Sequence, residues 1–184
     1  MPLTYAQIAE LLRQPAPLQL PGRDFSGTTL AGVSLRGANL RAANFNDTSL
    51  QRVDFINAVL VDAQFFEARV TECLFLGADL TGANLSRCDF TRSDFRRAHL
   101  ANVNFFGTEL FEANLAEADL SGANLRSAAL VSTNLSGANL TGAKLHRAQL
   151  GDAVLTTRTI MPDGQPYTPA PPTGDEDDDD DDDV

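Results

Sequence analysis

The chain has 184 residues, of which 43% are hydrophobic and 21% charged, and its formal net charge is −11. This length fits a single domain. The acidity is concentrated in nine consecutive acidic residues at 175–183, which leaves 16 acidic against 14 basic residues elsewhere, a net of −2. A body so close to neutral is a poor candidate for binding nucleic acid, and no apolar run is long enough to span a membrane.

The first predicted element is a short helix near the amino terminus. Thr4 and Gln7 have the spacing of a capping box. An apolar face follows, made of Tyr5, Ile8, Leu11 and Leu12. Pro15 would end the helix. We expect 1–22 to form a capping helix and linker over one end of the region that follows. Because Gln, Glu and Arg interrupt the apolar stretches, this segment does not read as a secretory signal, and a cytoplasmic location is expected.

A strict five-residue repeat begins at Phe25 and continues to Leu155. Every fifth residue is Leu, Phe or Val, 27 times in succession. A small residue stands two positions before each of these large ones, from Thr28 to Ala153. A period of five matches neither a helix nor a flat strand and predicts a solenoid. Both kinds of residue should point inward, because a packed interior interleaves large and small side chains.

Two outward positions of the unit are also specific. The residue before the large one is often Asn or Asp, as at Asn39 and Asp79, and such side chains bond to nearby backbone in turns. Gly recurs two positions after the large residue, as at Gly27 and Gly77, where a corner would need a permissive backbone.

The unit Ala83-Asn84-Leu85-Ser86-Arg87 resembles the A(D/N)LXX signature of the pentapeptide-repeat family. The resemblance covers 23–155. It implies an all-β solenoid, a right-handed quadrilateral β-helix with four pentapeptides per coil. The 27 units would then make six to seven coils, about 30 Å long at the usual strand spacing.

Placing the residues on coils of twenty predicts the content of the core. Four phenylalanines share one stack: Phe25, Phe45, Phe65 and Phe105. Three more share the stack two sides away: Phe55, Phe75 and Phe95. Phe90 lies outside both stacks. Cys73 and Cys88 take the small inward site, whereas His99 and His146 take outward sites. We find no nucleophile pair and no metal-ligand spacing, and we expect neither an enzyme nor a cofactor.

After Leu155 the pattern changes. We expect 156–174 to form a cap and a Pro-rich linker, with Ile160 keeping the phase and Met161-Pro162-Asp163-Gly164 forming a turn. Met161 and Tyr167 are the candidates to cover the last coil. The acidic segment 175–184 is predicted to be disordered. It would act either as a solubilising tail or as an electrostatic hook for a basic partner.

Three groups of outward residues are the candidate binding sites. The first group is apolar and comprises Ile56, Val59, Val61, Leu74 and Leu76. The second is looser and comprises Phe66, Phe106, Phe111 and Val131. The third is a basic ring of Arg87, Arg92, Arg96 and Arg97, either neutralised by Asp89 and Asp94 or able to bind an acidic partner. Exposed apolar patches often mark contact surfaces.

The leading hypothesis is a non-enzymatic scaffold that presents flat faces to an unidentified protein partner. The family resemblance supplies two alternatives. Some members mimic DNA and modulate DNA gyrase, which requires a strongly negative rod, and others regulate development or stress responses in cyanobacteria. A partly capped end would also allow a homodimer by end-to-end stacking, because open β edges template pairing.

Overall fold

The computed structural model describes residues 2–169. One helix, α1, spans Tyr5–Leu11, and three short strands follow: β1 (Thr29–Ala31), β2 (Ser49–Gln51) and β3 (Arg69–Thr71). The strands form a parallel sheet in the order β1-β2-β3, with Leu30 paired to Leu50 and Leu50 to Val70. Each partner is 20 residues further along the chain, so the sheet consists of one side of successive coils.

The same pairing continues as single parallel bridges on every side of the coil. It begins with Gln19 paired to Asn39 and reaches Asn134 paired to Val154, always with a separation of 20 residues. Four pentapeptides therefore make one coil of a parallel β-helix. We label the sides A to D by their large residues: Leu40 and Leu60 on side A, Phe45 and Phe65 on side B, Leu50 and Val70 on side C, and Phe55 and Phe75 on side D.

The interior is the one that the repeat predicts. The large residues from Phe25 to Leu140 are all at most 5% exposed. Phe25, Phe45 and Phe65 stack with ring centroids 4.8 and 4.7 Å apart. Phe55, Phe75 and Phe95 form the second stack, with spacings of 4.9 and 4.6 Å. Phe90 lies between the stacks and meets Phe95 edge to face. The prediction of two phenylalanine stacks is confirmed.

The corners follow from one backbone conformation. The residue two positions after each large residue has a φ between 53° and 69° at every repeat from Gly22 to Asp152. Glycine occupies ten of these corners, and other residue types occupy seventeen. The recurring glycines thus mark a left-handed turn, which every pentapeptide needs whichever residue it carries there.

The Asn and Asp residues before the large position have the role that the sequence predicts for them. Their side-chain oxygen accepts from the backbone N–H two residues later, as Asp54 does from Ile56 (2.8 Å) and Asp89 from Thr91 (3.0 Å). This bond holds the chain in its turn out of the strand. The turn does not depend on this bond, since the same left-handed corner also forms after Val59 and Leu74, whose side chains cannot accept a hydrogen bond.

Hydroxyl and thiol groups in the small inward site reach carbonyl groups of the coil below. Thr108 donates to the Leu85 carbonyl and Ser93 to the Val70 carbonyl, both at 2.7 Å. Cys88 lies 2.6 Å from the Phe65 carbonyl in the same way. Both cysteines are buried and free, and burial raises the pKa of the Cys73 and Cys88 thiols to about 12. They are core residues, as predicted.

Helix α1 lies at the amino-terminal end of the β-helix. Thr4 and Gln7 form the capping box, and Ile8 is 5% exposed and belongs to the core. The Leu3 N–H donates to the Asp24 carbonyl at 2.9 Å, which adds a backbone contact to the first coil. Pairing begins at Gln19, with Leu20 only 1% exposed, so the repeat extends one pentapeptide before Arg23.

At the other end, the prediction that Ile160 keeps the phase is wrong. Ile160 pairs with Asn139, a separation of 21 residues instead of 20. The extra residue places Thr159 in the small inward site, where it is fully buried and donates to the Leu135 carbonyl at 2.9 Å.

The segment after Ile160 folds back on itself. The predicted turn at Met161–Gly164 is present, because the Gly164 N–H donates to the Met161 carbonyl at 2.9 Å and Ile160 pairs antiparallel with Pro166. Met161 packs on the core, and the Tyr167 N–H donates to the Thr159 carbonyl at 2.8 Å. The acidic segment 175–184 lies outside the described residues.

Candidate functional site on the exposed faces

We call the first candidate group, Ile56, Val59, Val61, Leu74 and Leu76, the apolar patch. Ile56 and Leu76 occupy the same column of side D on successive coils, and Leu74 lies on that side in the neighbouring column. Val59 and Val61 lie on side A, around the corner formed by Asn57. Leu74 is 40% exposed, and the other four are half-buried. The structure therefore brings all five residues to one corner of the rod.

Charged pairs border the apolar patch on side D. Leu74 lies in a column between Asp54 below and Asp94 above. Arg36 approaches Asp54 at 3.9 Å, and Arg96 pairs with Asp94 at 2.7 Å. A shallow hollow beside Leu76 is lined by Arg96, Arg97, Ala116 and Glu117. The patch thus has an apolar centre and an ionic border.

The second candidate group does not form one surface. Phe66 and Phe106 share a column of side B but are two coils apart, with Ser86 between them. The Arg87 guanidinium lies over Phe66, with its Cζ atom 5.7 Å from the centroid of the phenylalanine ring. Phe106 is 41% exposed. Phe111 and Val131 are neighbours in one column of side C. The group divides into smaller apolar sites.

Each arginine of the predicted basic ring has a carboxylate partner. Arg87 pairs with Glu67 (3.4 Å), Arg92 with Glu112 (2.8 Å), Arg96 with Asp94 and Arg97 with Glu117 (both 2.7 Å). Three of these pairs join residues 20 apart, on successive coils. Hydrogen bonds from Arg92 and Arg97 lower the pKa values of Glu112 and Glu117. This arrangement favours a neutralised ring over one that binds an acidic partner. Asp94 takes part as predicted, whereas Asp89 pairs with Arg69, outside the ring (3.6 Å).

A second cationic group, which the sequence analysis missed, lies on side B near the carboxyl-terminal end. Arg126 and His146 share one column, Lys144 lies directly above Asn124, and Arg147 occupies the next corner. All four side chains belong to exposed residues. We call these four residues the basic patch. Sorting Lys and Arg by their position modulo 20 would have revealed it.

The histidines and the other potential metal ligands are dispersed over the described residues. Within 2–169, no three His, Cys, Asp or Glu side chains come together in a way that could hold a metal ion. His99 and His146 are exposed and lie on sides A and B. In the same part of the chain, no helix has the length and apolar character needed to cross a bilayer.

Coils of four five-residue sides, with a buried large residue on each side, define a repeat protein of the parallel β-helix class. Models of pentapeptide repeats match residues 24–62 and 58–97, and a model of the pentapeptide repeat region matches 78–155. Together they cover 24–155, and the chain belongs to the pentapeptide-repeat family. The right hand of the coil and the number of coils stay predictions.

Solved structures of other pentapeptide-repeat proteins are similar to this chain. HetL, described as involved in heterocyst differentiation regulation in the cyanobacterium Nostoc, is 24% identical over 90% of this chain and 100% of its own, with a TM-score of 0.37. Rfr23 from the cyanobacterium Cyanothece is 26% identical over 53% of this chain and 63% of its own, with a TM-score of 0.34.

QnrB1, a plasmid-mediated fluoroquinolone resistance protein, is 21% identical over 75% of this chain and 77% of its own, with a TM-score of 0.49. A search of curated protein sequences gives no significant match.

Proposed function

We propose that the protein is a non-enzymatic scaffold that binds a protein partner through the apolar patch. The observation that carries this proposal is the contiguity of five apolar side chains on sides D and A, at positions that are mostly polar elsewhere on the rod. Contiguous exposed apolar surface is uncommon on monomeric proteins unless it has a partner.

The surroundings of the patch support a protein as the partner. Specific interfaces combine an apolar centre with a polar rim. Here Leu74 and Leu76 would form the centre, and the Arg96–Asp94 pair would lie on the rim. The backbone beneath the patch is held by inter-coil bonds, such as Phe55 N–H to Leu74 O at 2.7 Å and Asn57 N–H to Leu76 O at 3.0 Å. A surface fixed in this way loses little conformational entropy on binding.

The test is the double variant Leu74→Glu with Leu76→Glu. Both side chains point outward, so the variant should fold, which circular dichroism would verify. We expect proteins captured by the wild type from its native host to be lost, because burying two carboxylates in the apolar centre of the interface would cost desolvation free energy. The matched control is Ser121→Glu with Thr141→Glu, at outward positions of the column that contains Val61 but three and four coils away from it. If both variants retain the same partners, the apolar patch is not the binding surface.

Modulation of DNA gyrase is the alternative function. It receives no support from the charge of the described part, where 14 basic residues meet 16 acidic ones. Glu67, Glu112 and Glu117 are also paired with arginines, which reduces the field that a DNA mimic would need. A supercoiling assay with and without the protein tests this alternative directly.

The cytoplasmic location stays a prediction.

A further inference from the structure

The basic patch differs from the other cations of the rod because its cations lie together and no carboxylate of the described residues pairs with them. Among residues 2–169, eight of the 14 basic residues form an ion pair with a carboxylate. Six do not within 2–169: Arg23, Arg41, Arg52, Arg126, Lys144 and Arg147. The last three lie together on side B, whereas the other three lie in the first coils at positions on different sides.

The neighbours of the patch on side B carry no negative charge. On the last two coils, the outward residues beside the cations are Asn124 and Ser127. Inter-coil backbone bonds fix the spacing of these columns, with the Leu125 N–H donating to the Lys144 carbonyl at 2.9 Å and the Ser127 N–H to the His146 carbonyl at 3.0 Å. Three formal positive charges and a histidine are thus held on a small, rigid area.

From this geometry we infer that the acidic run at 175–183 docks on the basic patch of its own chain. The charges of the run and of the patch are opposite in sign. The run contains nine consecutive acidic residues, and the patch is the place on the nearly neutral body where unpaired cations lie together. The inference concerns a different surface from the apolar patch and does not depend on the proposed function.

The run starts within reach of the patch. Tyr167 is bonded to Thr159, next to Ile160, and Ile160 pairs with Asn139 on side A of the last coil. Lys144 follows Asn139 by five residues, on the adjoining side. Covalent geometry limits the reach of the eight residues from Tyr167 to position 175 to about 28 Å, and that of the nine acidic residues to about 30 Å more. The path around one corner is shorter than this total.

Docking has a consequence for partners of the protein. The attached run is present at a high effective concentration, so a separate anionic ligand would have to displace it from side B. Equally, a basic partner of the run would have to compete with Arg126, Lys144 and Arg147. The run therefore acts as a built-in competitor whose strength falls as salt rises.

A zero-length carbodiimide crosslink tests this inference in the full chain. Lys144 is the only lysine of the sequence, so its amine and the one at the amino terminus are the only targets. At low ionic strength we expect Lys144 to be joined to a carboxylate of the run in the monomer, as identified by mass spectrometry of the digest. High salt should suppress the product.

The control separates docking from random encounters. Arg126→Ser with Arg147→Ser should lower the yield of the Lys144 product about fivefold, since two attractive contacts are removed. Arg23→Ser with Arg41→Ser removes the same charge at the other end and should leave the yield unchanged. An equal yield in all three proteins would overturn the inference. So would a product found only in crosslinked dimers, which would indicate docking on a second copy.

Discussion

At the residue scale, the corner position reveals what the repeat requires of the backbone. All corners from Gly22 to Asp152 adopt φ values between 53° and 69°. This region is costly for residues that carry a Cβ atom, by about 1–2 kcal/mol each. Seventeen corners nevertheless carry such residues, including the arginines at 87, 92 and 97. The stacked coils therefore hold the backbone in this conformation at many corners.

Gly27 offers the cleanest test of this cost. A Cβ atom added there would meet no heavy atom within 4 Å, so Gly27→Ala changes the backbone preference without a steric clash. We expect the variant to lower the free energy of unfolding by about 1 kcal/mol. The reverse change, Ser132→Gly, should raise it by about 0.5 kcal/mol, after the larger entropy of unfolded glycine is included.

Urea denaturation of both variants beside the wild type provides the measurement. If Gly27→Ala and Ser132→Gly change the free energy of unfolding in the same direction, the left-handed backbone at the corner does not determine the effect of these substitutions. Gly77→Ala is a useful comparison, because its Cβ would lie 2.7 Å from the Asn57 Oδ1 atom and Asn57 would have to move.

At the element scale, side B carries a ladder of amide side chains that stops one coil short of the end. Asn104 donates to the Asn84 Oδ1 at 3.1 Å, and Asn124 donates to the Asn104 Oδ1 at 2.9 Å. Lys144 occupies the next rung, and its ammonium group does not donate to the Asn124 Oδ1 below it. The Asn124 Oδ1 is buried, and it has no hydrogen-bond partner in the described part of the chain.

Lys144→Asn should therefore stabilise the protein. The new amide would lie directly above Asn124 and donate to its Oδ1, which should raise the free energy of unfolding by about 1 kcal/mol. Lys144→Ala is the control, since it removes the same positive charge without adding a donor. Thermal and urea denaturation of the two variants would separate the effect of the new hydrogen bond from that of the lost positive charge. If Asn and Ala give the same stability, the missing rung has no energetic importance.

The sequence predicted the elements of the rod well because one period controls both burial and turns. Large residues such as Phe45 and small ones such as Ala83 are placed inward by phase alone, with no knowledge of distant contacts. The change at Ile160 could not be predicted in this way. Isoleucine fits the large site, and the change of register becomes visible only in the pairing of Ile160 with Asn139 and in the buried hydroxyl bond of Thr159.

The candidate sites were less predictable than the core. The phase of the five-residue repeat was sufficient to place the apolar patch on one corner. The neutralisation of Arg92 and Arg97, however, depends on side-chain rotamers that reach carboxylates one coil away. The basic patch depends on the absence of such partners near Arg126 and Lys144. Pairing of long side chains is a property of the surface, and the hydrophobic period carries no information about it.

At the scale of the whole molecule, the two ends of the rod differ. At the amino-terminal end, Leu20 and Phe25 are 1% and 2% exposed, beneath a segment that includes α1. At the other end, Leu145 and Leu150 are only partly buried. Phenylalanine stacks are confined to the coils before Leu110, so ring stacking also favours the amino-terminal part.

This asymmetry predicts that the rod opens from its carboxyl-terminal end. The N–H groups of Leu125 and Ser127 donate to carbonyl groups of the coil above. The equivalent groups of Leu145 and Arg147 donate to no carbonyl group of residues 2–169. In repeat proteins each coil is stabilised mainly by its neighbours, so a terminal coil with one neighbour opens at lower free energy than an interior coil.

Native-state hydrogen exchange would measure this opening coil by coil. We expect the fastest exchange among the coils in 141–155, intermediate rates in 121–140, and the slowest rates around the phenylalanine stacks in 45–95. Replacing Leu150 by Ala should accelerate exchange in 141–155 more than in 45–95, because it removes contacts within the terminal coil alone. Leu50→Ala, in the same column, is the matched control and should reduce protection in the interior coils. Uniform rates along the rod would instead mean that all coils open together in one cooperative transition, which would contradict opening from the end.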